Sequence, residues 1–214
     1  MQSILNALLK DVEKAYEQSE IQKENLREGR QWFYSLVTTT METGGPLIVG
    51  FNWGASKDEK YKPQTAIEKC DFTKEDVGSL SRIFPYCEKY FGRDFLSKIT
   101  QTNYCFFRSE NESQIKSNDI ELCEPIFEKL IAAIDPSFII CFSSKLRDYM
   151  FQNNKIASKT SKNIVFSRGA STVTYEAIKA TLKSGVEICF LPHPNFPMKG
   201  AARAEAWEFC CGNN

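Results

Sequence analysis

Three polar side chains sit where a chain of this pattern can do chemistry. The stretch Pro46-Leu-Ile-Val-Gly-Phe-Asn-Trp-Gly-Ala-Ser56 opens with apolar residues that read as a buried strand. It then carries Asn52 between Gly50 and Gly54, a spacing that predicts a tight turn at the strand's carboxyl end. There, one side-chain amide and several backbone N–H groups face the crevice in which open α/β sheets bind ligands. Thr102-Asn103 ends a second apolar run, and His193, the only histidine, follows the last predicted strand between two prolines that stiffen its loop. In a parallel sheet all carboxyl ends lie along one edge, so Asn52, Asn103 and His193 can converge despite their separation in sequence. Amides both donate and accept, and imidazole is the group that titrates near neutrality. The set suits chemistry on a small polar group.

The elements that must position these residues follow from periodicity. Ser3 to Glu28 predicts a helix, with Ile4, Leu5, Leu8, Leu9, Val12 and Tyr16 at helical spacing, ended by Gly29. Thr73 to Phe91 predicts a second helix, capped by Thr73 with Asp76 three residues on and bent or broken by Pro85. Asn118 or Asp119 begins the clearest helix, whose stripe is Ile120, Cys123, Ile126, Phe127, Leu130, Ile131 and Ile134, stopped by Asp135-Pro136. Strands are expected at 46–49, within 96–104, at 138–142 and at 186–191, and helices at 144–151 and 201–211. Lys155 to Lys162 reads as a basic, Ser-rich loop, and Thr172 to Leu182 fits either helix or strand. Strands alternating with helices predict an α/β chain: a three-layer α/β/α sandwich around a central, mainly parallel four-stranded sheet. Residues 1–214 read as one domain, with 1–30 as an N-terminal helical extension.

Composition narrows the function classes. At 214 residues, 42% of them hydrophobic and 16 of them Phe, the chain has enough apolar material for a full core. No apolar run approaches the roughly 18–20 residues of a membrane-spanning helix. The first residues lack a basic region followed by an apolar one, so a cytoplasmic protein with no membrane partner is expected. Eight cysteines, none in a Cys-x-x-Cys pair and most within apolar segments, read as reduced core residues. Net charge is zero, with 27 basic and 27 acidic residues, so any nucleic-acid binding must use a local patch.

The motifs together resemble the uracil-DNA glycosylase superfamily. Its first motif, Gly-x-Asn-Pro-Gly in several branches, is here Gly50-Phe-Asn-Trp-Gly54. The Thr-Asn and later Arg of its iron–sulfur branches match Thr102-Asn103 and Arg108. Their Cys-x-Pro helix start matches Cys123-Glu-Pro125, and the last motif, His-Pro-Ser or a variant, matches His193-Pro-Asn195. Four motifs in the family's order span about residues 46–200. Trp53 replaces the usual Pro and Asn195 the usual Ser. The full iron–sulfur cysteine set is missing, with Phe107 where one cysteine would stand, so no metal, cluster or other cofactor is expected.

The resemblance implies a monofunctional DNA glycosylase: a monomeric, uracil-DNA-glycosylase-like domain that flips a non-canonical base out of single- or double-stranded DNA and leaves an abasic site. Uracil or a modified pyrimidine, such as the glucosylated hydroxymethylcytosine of phage DNA, is the expected base, in a setting of base excision repair or phage defence. Cleaving an N-glycosidic bond passes through an oxocarbenium-like sugar and a departing base anion. His193 suits the hydrogen bond to that anion, and Asn52 suits the orienting of water. Asn103 suits the reading of a pyrimidine edge. Trp53 would shape the pocket mouth, while Phe51, Phe106 and Phe107 either stack on the base or fill core. Phe196 and Met198 are candidates to fill the gap left by the base, and Lys57, Arg168, Asn195, Lys199 and Arg203 to contact DNA. Two other readings stand beside this one: a non-catalytic nucleic-acid or nucleotide-binding module on the same fold, and a cysteine hydrolase using Cys105 or Cys189 with His193.

Overall fold

The computed structural model describes residues 2–39, 41–65, 80–198 and 200–212, apart from the side chain of Leu96. The helix start expected at Thr73, its partner Asp76 and the candidate Lys199 lie outside the described residues. The chain is mixed α/β. Its strands are β1 (Pro46–Gly54), β2 (Thr100–Ser109), β3 (Phe138–Cys141), β4 (Ile156–Arg168), β5 (Ser171–Leu182) and β6 (Glu187–Phe190), in the order β2-β1-β3-β6-β5-β4. The expected four-stranded, mainly parallel sheet is therefore corrected to six strands of mixed direction. β3 and β6 pair in parallel, whereas β5 pairs antiparallel with both β6 and β4. Among the described residues no helix is long and apolar enough to cross a membrane.

The two added strands come from the segments read as loop and as ambiguous. β4 is exposed along almost its whole length, and the run Ser158-Lys-Thr-Ser-Lys-Asn163 has no apolar alternation to mark it. It is held instead by continuous pairing with β5. The two-residue link places Gly169 at φ 61°, the first central position of a type II′ hairpin turn, where glycine meets no steric penalty. In β5 the β-formers Val173 and Tyr175 prevail over the helix-formers that follow them.

The chain divides into two compact units. The first comprises residues 1–45, 49–70 and 100–136; the second comprises 46–48, 71–99 and 137–214. In the first, the expected N-terminal helix is two helices, α1 (Gln2–Gln18) and α2 (Glu20–Arg27). Ser19 makes the break: its hydroxyl donates to the Tyr16 carbonyl and accepts from the Gln22 N–H, capping α2. Leu5, Leu8, Val12, Ala15 and Tyr16 are buried, so α1 is part of this core. The long helix α5 (Ser117–Ile134) buries Cys123, Ile126, Phe127, Leu130 and Ile134, five residues of the stripe read from its sequence. Near its start the fully buried Asp119 accepts from the N–H groups of Glu20 at 2.7 Å, Ile21 at 3.3 Å and Lys116 at 2.8 Å. One carboxylate thus satisfies the starts of two helices, where the helix dipole favours negative charge by about 1–2 kcal/mol in buried geometry.

In the second unit, Pro85 stands where a 3-10 turn over residues 80–83 gives way to α-helix. It occupies the first turn of α3 (Phe84–Phe91), where a missing N–H costs nothing. The short α4 (Arg93–Lys98) follows. The core centres on Trp207 of α7 (Gly200–Cys211), fully buried and stacked 5.2 Å from Tyr86. Helix α6 (Ser144–Gln152) is capped by the Ser143 hydroxyl on the Leu146 N–H.

Candidate active site

In the first unit, β1 runs through Gly54, so Asn52 lies within the strand and not in a turn as its glycines suggest. Gly50 has an ordinary strand conformation and is needed for another reason. A Cβ there would stand 2.2 Å from Asn103 Oδ1, so only glycine lets that amide lie against the β1 backbone. Asn103 itself is the fourth residue of β2, near its start and not its end. Contacts advance together along β1 and β2, from Gly50 with Asn103 to Gly54 with Arg108 and Ala55 with Ser109, so these strands run parallel.

Side chains alternate along a strand. Gly50 and Asn52 therefore share one face of β1, and Asn103 Oδ1 lies over that face. The orientation of Asn52 is set by its partners. Its Nδ2 donates to the Trp53 carbonyl at 2.9 Å and to Ser109 Oγ at 2.8 Å, while the Ser109 hydroxyl donates to the Asn111 carbonyl at 2.8 Å. That hydroxyl has one proton, already used, so it can only accept from Asn52. Oδ1 is left as an acceptor with no partner among the described residues. Asn103 as a residue is 5% exposed, and its amide likewise makes no side-chain hydrogen bond among the described residues. Neither amide is a base at neutral pH, so this pair acts by orienting and recognising.

The neighbours read as pocket residues are placed differently. Phe51 and Trp53 occupy the opposite, buried face of β1, and the Trp53 indole N–H donates to the Ser35 carbonyl. Alternation from Asn52 thus turns Trp53 away from the site and into the core. Phe106 and Phe107 are fully buried, and Phe107 packs edge-on to Tyr16 at 5.4 Å. These four aromatic rings fill core. Arg108 holds the end of β1: its guanidinium donates to the Gly54 carbonyl at 3.0 Å and to Ser35 Oγ at 2.9 Å, and covers the Tyr61 ring at 4.2 Å. Burial lowers its pKa, opposed by Tyr61 and Glu59. Lys57 is exposed beyond the strand.

In the second unit, His193 is exposed in the loop after β6. Its Nδ1 accepts from the Asn195 N–H at 3.1 Å, which places the ring proton of the neutral form on Nε2 as a donor. Asn195 Oδ1 accepts from Arg82 at 2.8 Å. Arg203 and Met198, read as candidates on the DNA side, are both buried. Arg203 is 7% exposed and donates to the carbonyls of Pro192, His193, Pro194, Phe196 and Met198, from 2.7 to 3.4 Å. It is the internal scaffold of the His193 loop, a role that its exposed-looking sequence context does not signal. Met198 is 2% exposed, so it cannot fill a gap left by a flipped base. Phe196 is half-buried, with its ring 5.7 Å from Tyr175 and 6.1 Å from Phe166. Arg168 is exposed at the end of β4.

The described cysteines are all buried thiols. Burial pushes the Cys141 thiol up to about 12, and Cys189 is raised by its thiol neighbours Cys210 and Cys211 and by burial. A nucleophilic cysteine needs the opposite shift. No group of three or more His, Cys, Asp or Glu side chains among the described residues is arranged to hold a metal ion. Ser109 is the member of the site that sequence reasoning missed; a serine 57 positions from its partner carries no spacing signal. The chain matches no protein-family model and no curated protein.

Proposed function

We propose that this chain is a DNA glycosylase that hydrolyses the N-glycosidic bond of a non-canonical base, uracil or a modified pyrimidine, and leaves an abasic site. The observation that carries the reading is the amide pair over Gly50: Asn103 with no side-chain hydrogen bond among the described residues, and Asn52 with its carbonyl oxygen presented by Ser109. Asn103 offers both a donor and an acceptor to a base edge. Asn52 holds a water through Oδ1, which serves a dissociative displacement that needs little base strength. The likeness of His193-Pro-Asn195 to the superfamily's last motif supports the role of donor to the departing base for His193, whose neutral form carries its proton on Nε2. Trp53, turned into the core, has no part in choosing the base.

The test is a base-release assay on DNA containing uracil and on phage DNA containing modified cytosines, with abasic sites cleaved and resolved on a gel. Cleavage of one substrate, lost in Asn52→Ala and weakened through KM in Asn103→Ala, supports the reading. DNA binding with no abasic product from either substrate overturns it in favour of a non-catalytic binding module.

A further inference from the structure

The β4 strand of the β4–β5 hairpin is largely exposed, and the hairpin's charge differs from that of the chain. The chain is neutral, yet the hairpin from 156 to 182 carries Lys159, Lys162, Arg168 and Lys179 against Glu176 alone. At its far end Val165 is 64% exposed, and beside it opens a cleft of about 620 Å³ between the hairpin and the start of α7. Phe166, Pro197 and Ala201 give this cleft apolar walls, and Arg168 and Glu205 line it. Glu205 is already paired with Lys162 at 2.9 Å, which leaves Arg168 as the unbalanced charge. Arg168 has no hydrogen-bond or ion-pair partner among the described residues. The volume lies in the range of small-ligand sites.

The geometry points to this cleft as a seat for one nucleotide of a nucleic-acid strand, with the phosphate on Arg168 and the base against Phe166. An aromatic face beside an uncommitted guanidinium is the combination that holds single strands without reading their sequence. Lys159 extends the positive charge along the hairpin; its ammonium lies 4.7 Å from the Phe151 ring and pairs with no carboxylate among the described residues. A second copy of the chain is the poorer occupant, because lysines along an edge strand oppose strand-on-strand association. Phe166 also packs on Phe196 of the His193 loop, so a strand seated here lies beside that loop. The inference rests on the DNA-directed reading for its partner but not on catalysis.

Fluorescence anisotropy with a labelled single-stranded oligonucleotide of unmodified bases tests it, because binding then needs no target base. The wild type is expected to bind with a marked salt dependence. Arg168→Glu is expected to weaken binding on the order of tenfold and to flatten the salt slope by about one phosphate contact. Phe166→Leu, which keeps an apolar residue in place, is expected to weaken binding at unchanged salt slope. Unchanged affinity and slope in Arg168→Glu overturn the proposal, as does a wild-type dimer in sedimentation that Val165→Lys dissolves. Binding indifferent to Arg168→Glu alongside intact base release overturns the hairpin site and leaves the glycosylase standing. Arg168-dependent binding without base release does the reverse.

Discussion

The amide pair of the first unit and the histidine loop of the second solve the same problem by opposite means. Asn52 and Asn103 ride on strands, and backbone pairing with one glycine and one serine sets their positions. His193 rides on an exposed loop without regular structure, and a buried cation bonded to five carbonyls sets that loop from within. A strand gives its side chains direction at no further cost, so its helpers can be small. A loop must be told its shape, and the group that does so has to satisfy the carbonyls that the loop cannot satisfy itself.

Four substitutions test this contrast. The largest expected effect is on chemistry: Asn52→Ala should lower single-turnover base release by on the order of 10²–10³, comparable to losing a preorganised polar group elsewhere, with stability nearly unchanged. Comparable release in the variant and wild type would remove Asn52 from the mechanism. Next comes Arg203→Ala, which strips the loop's carbonyls of their donor and should cost about 2–4 kcal/mol in urea unfolding, with KM and kcat for release both impaired. His193→Ala should impair release without that stability cost, so the two variants separate the tool from its holder. Gly50→Ala is smaller still. The new methyl group must displace the Asn103 amide, so about 1–2 kcal/mol of stability should be lost and KM should rise as it does in Asn103→Ala.

The smallest effect is on pH dependence, and it belongs to the second unit's core. Burial, the largest cause in both, pushes the Cys87 and Cys141 thiols up to about 12 from an ordinary value of 9.0. A folded-state pKa raised in this way contributes stability that is complete below pH 9 and is lost as pH rises towards 12, because the unfolded chain ionises first. Urea midpoints should therefore be flat through neutrality and fall above pH 9, and Cys141→Ala should soften that fall. A midpoint unaffected by pH up to 11 would show that these thiols are not held neutral.

Much of this was legible in the sequence, for reasons that differ by element. The stripe of α5 and the apolar runs of β3 and β6 are one-sided or fully buried, so periodicity reveals them. β4 is solvent-facing on both sides through Asn163, and pattern reading has no purchase on such a strand. Asn52, Asn103 and His193 stand out because amides and imidazole in glycine- and proline-framed motifs are conspicuous. Their surroundings do not. The direction of Trp53 depends on whether β1 continues past Gly50, and one extra strand residue decides between pocket and core. Arg203 reads as an ordinary helix-surface cation until the loop closes over it.

The buried carboxylate shared by α2 and α5 also bears on how the protein is made. The Glu20 N–H that it satisfies lies 99 positions earlier in the chain. On the ribosome the first helices emerge long before the residue that caps them, and the unit to which they belong is complete only at residue 136. Its early segments must wait, incompletely anchored and with apolar faces exposed, while the intervening chain is synthesised. Asp119→Asn keeps the side chain's shape and removes its charge, so it should lengthen that vulnerable interval and lower soluble yield during translation more than it lowers the equilibrium stability of the finished protein. Pulse-labelled nascent chains treated with protease would read the interval directly.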